Sequence, residues 1–323
     1  MIRVLSFNLQ HALPGAGAAL DPLTAPLADA DITDPGAARD VLSALAGQIR
    51  ALEPDVVALQ EVDLGQARSG RIDQAGELAR MLGWEHYRFA AGYAGPVVGL
   101  RRRPWRTALT SAADEPLGPV RAALGLPPAG FGNALLSRLP VQAWHVARLG
   151  RGPAEVTRSG GRHRLDPRGY RLSTATMRTM VSARIQVPGT PGLTVASTHL
   201  ATRTDVATSQ LAAAWSALAS LDGPHLLVGD LNLRSEHVAR LGIARAVGAG
   251  ATYPSGRPRH RIDHLLTDPW PVDPDGLPLR VGDAGCGPAT AEAGAGLLRA
   301  VGHGTRSLVV SDHAATWADL ELV

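Results

Sequence analysis

The stretch Leu226-Leu-Val-Gly-Asp230-Leu-Asn232 passes from an apolar run to a carboxylate and a carboxamide within a few residues. A short apolar run of this kind, closed by glycine, predicts a buried strand over 225–229. Layered α/β proteins build their binding sites at the carboxyl ends of such strands. Asp230 and Asn232 are therefore predicted to lie in a functional site.

The same arrangement, an apolar strand followed by a polar residue, recurs along the chain. Asn8, Glu61 and His199 each come directly at or after the end of a predicted buried strand. Two further polar groups occur later, Arg261-Ile-Asp263-His264 and Ser311-Asp312-His313. Any one of these segments is weak evidence, but together they indicate one site to which the whole chain contributes.

The spacing of apolar residues predicts the elements that carry these groups. Apolar runs rich in β-branched residues alternate with helical patterns, which is typical of a layered α/β protein. Strands are predicted over 2–8, 55–60, 131–137, 178–187, 192–199, 225–229, 261–267 and 313–322. Helices are predicted over about 36–52, 74–82 and 205–221. Long loops are predicted over about 12–35, 94–130, 150–173 and 282–304.

Taken together, the polar segments resemble those of the endonuclease/exonuclease/phosphatase superfamily, whose fold is that of deoxyribonuclease I. The matching segments are Ser6-Phe7-Asn8, Leu59-Gln60-Glu61-Val62, Gly132-Asn133-Ala-Leu-Leu-Ser137-Arg138, Ser197-Thr198-His199-Leu200, Gly229-Asp230-Leu-Asn232, Arg261-Ile-Asp263-His264 and Ser311-Asp312-His313. Because they span nearly the whole chain, the resemblance implies a single domain over 1–323. It also implies an α+β layered fold, a four-layered sandwich of two face-to-face mixed β-sheets with helices on the outer faces.

The resemblance implies a divalent metal site. Hydrolysis of a phosphate ester requires a hard cation that neutralises the charge of the phosphate. Oxygen ligands from Glu61 and Asn8 suit Mg²⁺ or Mn²⁺, and Asp312 is a third candidate ligand. We expect one such ion, bound through Glu61 at the edge of the sheet.

The resemblance also implies roles for five catalytic residues. Asp230 holds or deprotonates the attacking water, and Asn232, which cannot take a proton, orients the phosphate. His199 binds the scissile phosphate or protonates the leaving oxygen. His313 completes the acid–base apparatus, and Asp263 sets its tautomer and orientation, as Asp does for His in hydrolase triads. This pairing predicts a hydrogen bond of about 2.6–3.2 Å between Asp263 and His313 and a raised pKa for the imidazole.

Each of these residues also has a purely structural interpretation. A single Asp or Asn after a strand is usually a turn residue or a helix cap, and a single buried His is usually a satisfied polar group. The combined pattern favours the functional interpretation. The role of Asn133 is undecided, since this residue either orients a neighbouring side chain or ends a strand. Four other polar residues are interpreted as scaffold or as supports of the site residues, namely Gln10, His11, Arg138 and His264.

Composition and charge limit the partners and the location. The 323 residues include 32 basic and 29 acidic ones, a net charge of +3, and every basic residue is Arg because the chain has no Lys. This charge alone indicates no nucleic-acid partner. The single cysteine, Cys286, excludes a disulfide-stapled scaffold. No apolar run approaches the ~20 residues of a membrane span. We expect a cytoplasmic protein without an integral membrane segment, and we infer no obligate protein partner.

The sequence does not decide which class of phosphate ester is the substrate. The primary interpretation is a metal-dependent phosphoesterase that acts on a phosphodiester or phosphate ester of a small molecule, a lipid head group or nucleic acid. The nearest alternative is a deoxyribonuclease-I-like nuclease, and a second alternative is a non-catalytic binding module on the same fold. Ser-Thr-His199-Leu resembles the deoxyribonuclease I, sphingomyelinase and phosphoinositide phosphatase branches. Exonuclease-III-type enzymes commonly have Tyr at that position.

The loop 150–173 carries six Arg residues. One interpretation is that these arginines lie at the mouth of the site and contact an anionic substrate. The other is a solvated surface, because this chain uses Arg wherever other chains use Lys.

Overall fold

Two six-stranded sheets organise the computed structural model, which describes residues 1–15, 24–97, 101–153, 155–158, 170–173, 177–271, 274–275 and 297–322. The strands are β1 (Ile2–Asn8), β2 (Val56–Leu64), β3 (His86–Ala94), β4 (Gly130–Ser137), β5 (Val141–Gly150), β6 (Glu155–Arg158), β7 (Tyr170–Ser173), β8 (Arg178–Ile185), β9 (Leu193–His199), β10 (His225–Asp230), β11 (Arg245–Val247), β12 (Asp263–Thr267), β13 (Leu298–Arg306) and β14 (Ala315–Leu322). The helices are α1 (Pro35–Arg50), α2 (Gln74–Leu82), α3 (Gly118–Ala123), α4 (Thr204–Ala219) and α5 (Ser235–Leu241). No helix in the described ranges is long and apolar enough to cross a membrane.

The two sheets pack face to face, and helices cover both outer sides. One sheet has the strand order β13-β14-β1-β2-β4-β3, and the other has the order β11-β12-β10-β9-β8-β5. One apolar cluster fills the space between the sheets. A second cluster lies under α1 and α2, and a third lies under α4 and α5. The order helix, sheet, sheet, helix confirms the four-layered α+β sandwich.

Alternation along the central strands decides which side chains point into the gap between the sheets. In β1, Val4 belongs to the cluster between the sheets, whereas Leu5 lies in the cluster under the helices. Residues two apart share one face of a strand, so Asn8 continues the inner face of β1. Val228 and Asp230 have the same relation on β10. The inner faces of both sheets therefore end in polar residues.

All eight strands predicted from the sequence are present, and they are the eight central strands of the two sheets. The sequence prediction lacks the four edge strands β3, β5, β11 and β13. An edge strand pairs on one side only and often faces solvent, so it needs no continuous apolar run. In β5, for example, Leu149 is the only buried residue of ten. The short helices α3 and α5 were also outside the prediction, because a few residues carry little periodic signal.

Three of the predicted loops are wrong in part, because regular elements lie within them. The loop expected over about 282–304 overlaps β13, which begins at Leu298. The loop expected over 94–130 contains the helix α3. The loop expected over 12–35 ends where predicted, since α1 begins at Pro35 with Asp34 as its N-cap. Proline is favoured in this first turn because its missing N–H needs no partner there.

The arginine-rich segment 150–173 also contains regular structure. The strands β6 and β7 lie within it and pair with each other as a separate two-stranded sheet. Arg162, Arg164 and Arg168 lie outside the described residues, as does Cys286. The position of these arginines relative to the site therefore stays a prediction.

A partly buried ion pair at the other end of β10 makes stability depend on pH. The His225 ring donates from Nδ1 to Asp268 Oδ1 at 2.9 Å, and Asp268 Oδ2 accepts from the His225 backbone N–H at 2.7 Å. Burial lowers the pKa of His225, but the bond to Asp268 and the carbonyl of Leu221 raise it overall. A raised folded-state pKa stabilises the protein below the unfolded pKa of about 6.5, and that contribution is lost as the pH rises through the folded pKa.

We expect His225→Gln to cost more stability at pH 5.5 than at pH 9, by about 1–2 kcal/mol, because only the charged imidazole forms the strong bond to Asp268. Urea unfolding at the two pH values measures the difference. The exposed His145 on β5 supplies the control, since His145→Gln should cost the same at both pH values. An equal penalty for His225→Gln at pH 5.5 and pH 9 would contradict the charged pair.

Candidate active site

Side chains from both sheets converge at one end of the gap between the sheets. They come from the carboxyl ends of β1, β9 and β10, from the middle of β2, and from the amino ends of β12 and β14, which run antiparallel to their neighbours. The structure brings together all eight residues that the sequence analysis singled out, Asn8, Glu61, His199, Asp230, Asn232, Asp263, Asp312 and His313.

An irregularity in β2 turns Glu61 into the site. The pairing of β2 with β4 shifts register between Leu59 and Val62, and Glu61 has a left-handed backbone with a φ of 52°. A positive φ is costly for a residue with a side chain, and such residues cluster at functional sites. The Glu61 carboxylate accepts a 3.4 Å hydrogen bond from Asn8 Nδ2. Burial raises its pKa, and the bond from Asn8 opposes that shift.

Asp230 lies at the centre of the site, and its side chain is 3% exposed. Its Oδ2 accepts from Asn8 Nδ2 at 3.0 Å, and its Oδ1 accepts from the backbone N–H of Asn232 at 2.9 Å. The Nε2 atoms of His199 and His313 lie 3.5 and 3.8 Å from Oδ2. Burial is the main cause that raises the pKa of Asp230 to about 7. The carboxyl group therefore changes its charge near neutral pH, where a general base is most effective.

Asp263 and His313 form a hydrogen-bonded pair. His313 Nδ1 donates to Asp263 Oδ2 at 2.9 Å, within the predicted range, and this bond directs Nε2 toward Asp230. Burial lowers the pKa of His313, but the charge of Asp263 and the bond to it raise the pKa to about 10. The ring of Tyr253 packs on the imidazole, with ring centroids 5.0 Å apart. Both the tautomer and the ring plane of His313 are therefore held.

Asn232 orients His199, a partner that the sequence does not indicate. Asn232 has a left-handed backbone with a φ of 52°, and its Nδ2 lies 3.2 Å from His199 Nε2. Because the amide donates, Nε2 accepts and the ring proton lies on Nδ1. Nδ1 is buried without a hydrogen-bond partner among the described residues, 3.9 Å from Glu61 Oε1. Burial and the charge of Arg178 keep the pKa of His199 well below its usual range.

Two carboxylates with partial access to solvent suit a divalent cation. The side chains of Glu61 and Asp312 are 27% and 33% exposed, whereas those of Asp230 and Asp263 are nearly fully buried. The negative charge of Asp312 contributes to the raised pKa of Glu61, so the two groups lie close enough to repel each other. Mg²⁺ binds carboxylate oxygens and keeps several waters. The donor set at this opening fits such an ion.

A second group of side chains could also hold a metal ion. Asp230, Asp263 and His313 each offer one ligand atom within 4.8 Å of the others. His313 Nδ1 and Asp263 Oδ2 are already joined by the hydrogen bond between these residues. Oxygen ligands are also preferred by Mg²⁺ over imidazole. The opening at Glu61 and Asp312 is therefore the better match to a hydrated hard cation.

Three of the residues interpreted as scaffold contact backbone groups or a carboxylate outside the site. Gln10 Oε1 accepts from the backbone N–H of Asp312, and so positions that residue. His264 points to the outer face of its sheet, where Nε2 contacts the carbonyl of Leu233. Arg138 pairs with Asp55, far from the site.

Of the two remaining polar residues raised in the sequence analysis, Asn133 is buried and His11 is half-buried. Asn133 donates to the carbonyl of Thr179 at 2.7 Å and so links β4 to β8 across the gap. His11 contributes its carbonyl to the bond from Gln74, and burial lowers the pKa of its ring to about 4. Neither side chain contacts the eight residues of the site through a hydrogen bond in the described structure.

Arg178 and Tyr253 belong to the site but were missed in the sequence. Arg178 begins β8, which runs antiparallel to β9, so it lies at the same edge as His199. Burial lowers its pKa, and the charges of Asp230 and Glu61 oppose that shift. The signal in the sequence is an arginine at the start of an apolar strand. Tyr253 carries no such signal, because it reaches His313 from a loop.

The chain is similar in fold to several solved structures. An endonuclease/exonuclease/phosphatase from Beutenbergia cavernae DSM 12333 has 21% identity and a TM-score of 0.58, with 99% of this chain and 71% of that chain covered. A mannosyl-6-phosphatase from Bacteroides thetaiotaomicron VPI-5482 has 11% identity and a TM-score of 0.56, with both chains fully covered. The catalytic domain of human nocturnin has 15% identity and a TM-score of 0.50, with 100% of this chain and 93% of that chain covered.

At such low sequence identities, the similarity to these structures shows a shared fold alone. No curated protein matches the chain at a significant level. The sequence model of the Endonuclease/Exonuclease/phosphatase family matches residues 5–313, which include all eight residues of the site. The chain belongs to the Endonuclease/Exonuclease/phosphatase family.

Proposed function

We propose that this protein is a metal-dependent phosphoesterase, a single domain that hydrolyses a phosphodiester or phosphate ester by in-line attack of an activated water. The observation that carries the proposal is the convergence of two imidazoles on Asp230, whose Oδ2 lies 3.5 Å from His199 Nε2 and 3.8 Å from His313 Nε2. Members of the family are generally hydrolases that act on phosphate esters.

Asp230 accepts a proton from the attacking water. Its two oxygens are held by Asn8 and by the backbone of Asn232, so the carboxylate cannot rotate away. A pKa of about 7 places the group in its basic form in part of the population at neutral pH and still makes it a competent base. The buried setting keeps competing solvent away from the proton transfer.

His313, His199 and Asn232 surround the position of the phosphate. His313 carries a positive charge because Asp263 holds Nδ1, so its Nε2–H is a charge-assisted donor to a phosphate oxygen or to the leaving oxygen. His199 is neutral, and its Nδ1–H, which has no hydrogen-bond partner among the described residues, faces the Glu61 side of the site. Donors fixed in this way stabilise the charge that develops in the transition state. Arg178 adds a buried positive charge beside them.

Glu61 and Asp312 are the proposed ligands of Mg²⁺ or Mn²⁺, and Asn8 is the third candidate. Asn8 Nδ2 faces Glu61, and Asn8 Oδ1 accepts from the backbone N–H of Gln10, so in this arrangement Asn8 holds the carboxylate in place. When bound, the cation supplies neutralisation of the phosphate charge. The side chains themselves provide the proton transfer and the orientation of the ester.

Turnover of a chromogenic diester tests the proposal. We expect the protein to hydrolyse bis(4-nitrophenyl) phosphate when Mg²⁺ or Mn²⁺ is added, and chelation with EDTA to lower the rate by at least about a hundredfold, because the cation contributes several kcal/mol to transition-state stabilisation. The control is His313→Asn, which leaves the protein surface unchanged but removes the charged imidazole donor. Metal-independent turnover, or no turnover with any phosphate ester, would contradict the proposal.

A panel of natural esters then narrows the substrate. DNA, RNA, phospholipids and phosphate monoesters are compared under the same metal conditions. Nicking of a supercoiled plasmid as the fastest reaction would favour the nuclease alternative. Tight binding of an ester without hydrolysis would favour a binding module on the same fold. Faster turnover of a small ester than of either nucleic acid supports the primary interpretation.

A further inference from the structure

A cavity of about 540 Å³ opens beside the site, between α5 and the loop that carries Tyr253. Asn232 and Tyr253 line it, and these two residues also contact the histidines of the site, His199 and His313. A substrate whose phosphate lies among those histidines would therefore lie next to the cavity. Its volume falls in the range of pockets that enclose small ligands.

Two arginines give this cavity its charge. Arg234 and Arg240 line it, and both side chains are exposed. Within the described part of the chain, the guanidinium of Arg234 makes no hydrogen bond or ion pair. Arg240 donates from Nε to the carbonyl of Glu236 at 3.2 Å, which leaves its terminal nitrogens available. Elsewhere in the structure many arginines are paired with carboxylates, as Arg68 is with Asp63.

The other lining groups do not cancel this charge. Glu236 is the acidic residue of the lining, and its carboxylate forms no ion pair with a described arginine. His237 contacts Thr208 Oγ1 through Nε2 at 2.9 Å, and so is held toward α4. His260 lies opposite Tyr253, to which it is paired through the backbone. Two guanidinium groups against one carboxylate leave the cavity positive at neutral pH.

We propose that this cavity is a subsite for a second phosphate on the substrate, and this inference rests on the proposed phosphoesterase function. Arg234 and Arg240 bind the second phosphate, because guanidinium groups form strong, geometrically matched hydrogen bonds with phosphate oxygens. Tyr253 presents a ring between the two phosphate positions, where the sugar or base of a nucleotide can pack. The substrate class is an ester that carries two phosphates, either a small bisphosphate or a segment of nucleic acid.

Calorimetry tests the subsite without turnover. Binding is measured on the metal-supplemented Asp230→Asn protein, with adenosine 3′,5′-bisphosphate and adenosine 5′-monophosphate as probes. We expect the bisphosphate to bind about tenfold or more tightly than the monophosphate, because charged hydrogen bonds to the second phosphate are added. Adding Arg234→Gln and Arg240→Gln should bring the ratio of the two affinities close to one.

Matched variants separate a specific subsite from general attraction. Arg257 and Arg259 are exposed in the neighbouring loop and do not line the cavity. Arg257→Gln with Arg259→Gln removes the same charge and should keep the tenfold ratio. A ratio that falls equally in both double variants would overturn the subsite. So would a ratio near one in the protein that carries only Asp230→Asn.

A third probe identifies the source of the second phosphate. If a short single-stranded oligonucleotide binds more tightly than the bisphosphate and weakens steeply with salt, the substrate is nucleic acid. If the bisphosphate binds more tightly, the substrate is a small molecule. Both results support the second-phosphate site.

The subsite and the proposed function can fail separately. Turnover of bis(4-nitrophenyl) phosphate without any preference for the bisphosphate overturns the subsite and leaves the function standing. An arginine-dependent preference in a protein that hydrolyses no phosphate ester overturns the function and leaves the binding site standing.

Discussion

Replacing Asp230 with Asn is expected to lower kcat for bis(4-nitrophenyl) phosphate by roughly 10²- to 10⁴-fold, the range that general-base catalysis contributes. The carboxamide has nearly the same shape as the carboxylate but cannot accept the proton of the attacking water. The backbone N–H of Asn232 can still donate to the oxygen of the new side chain, so the position of the group is kept. Single-turnover and steady-state rates on the same preparation give the loss in kcat.

The fold should survive this substitution, so that the loss reports chemistry. The neutral amide relieves the cost of burying a carboxylate whose pKa is raised to about 7, but the bond from Asn8 Nδ2 to Oδ2 is lost, because that position becomes the amide nitrogen. These effects oppose each other, and we expect Tm to change by only a few degrees. The control is Asp222→Asn, at the opposite end of β10, which should retain native kcat. If Asp230→Asn kept most of the native kcat, Asp230 would not be the base.

Replacing Glu61 with Gln is expected to weaken Mg²⁺ or Mn²⁺ binding by at least about a hundredfold. Residues that only support a metal ligand already cost 10–100-fold when they are changed, and Glu61 is proposed as a direct ligand. The amide of Gln keeps one oxygen but removes the negative charge that a divalent cation requires. Isothermal titration of the metal into the native and variant proteins measures the change directly, without any substrate.

The second possible metal position provides the contrast for this experiment. Asp263→Asn removes one member of the buried Asp230, Asp263 and His313 group but leaves the opening at Glu61 and Asp312 intact. We expect this variant to bind the metal nearly as well as the native protein does. A strong loss of affinity in Asp263→Asn together with native affinity in Glu61→Gln would move the metal to the buried group.

The sequence predicted the central strands because burial on both faces requires continuous apolar runs. Strands such as β1, β9 and β10 lie between a second sheet on one side and helices on the other, so nearly every residue must be apolar or small. The four edge strands escape this requirement, and their pairing is set by neighbours that are distant in sequence. For the same reason no local pattern marks β13, which pairs with β14 and begins within a predicted loop.

The eight site residues could be found from the sequence because their polar side chains lie on or next to these strands. Asn8, His199 and Asp230 each occupy the last position of a central strand, and the alternation of the strand carries them to the inner face. The motifs of the family add the remaining positions. A short motif does not indicate which of these side chains contact one another.

Only the tertiary structure decided the pairing and the surroundings of the site. Asn232, which follows β10, contacts His199 at the end of the neighbouring strand β9. Arg178 lies near Asp230 because β8 runs antiparallel to β9. The backbone of Glu61 is left-handed because the pairing of β2 with β4 shifts register there. Periodicity along one strand reports burial alone, whereas register, bulges and the approach of loops depend on contacts between segments far apart in the chain. For this reason the sequence by itself determined the layers and the chemistry, and the folded chain determined the geometry of the site and the charged cavity beside it.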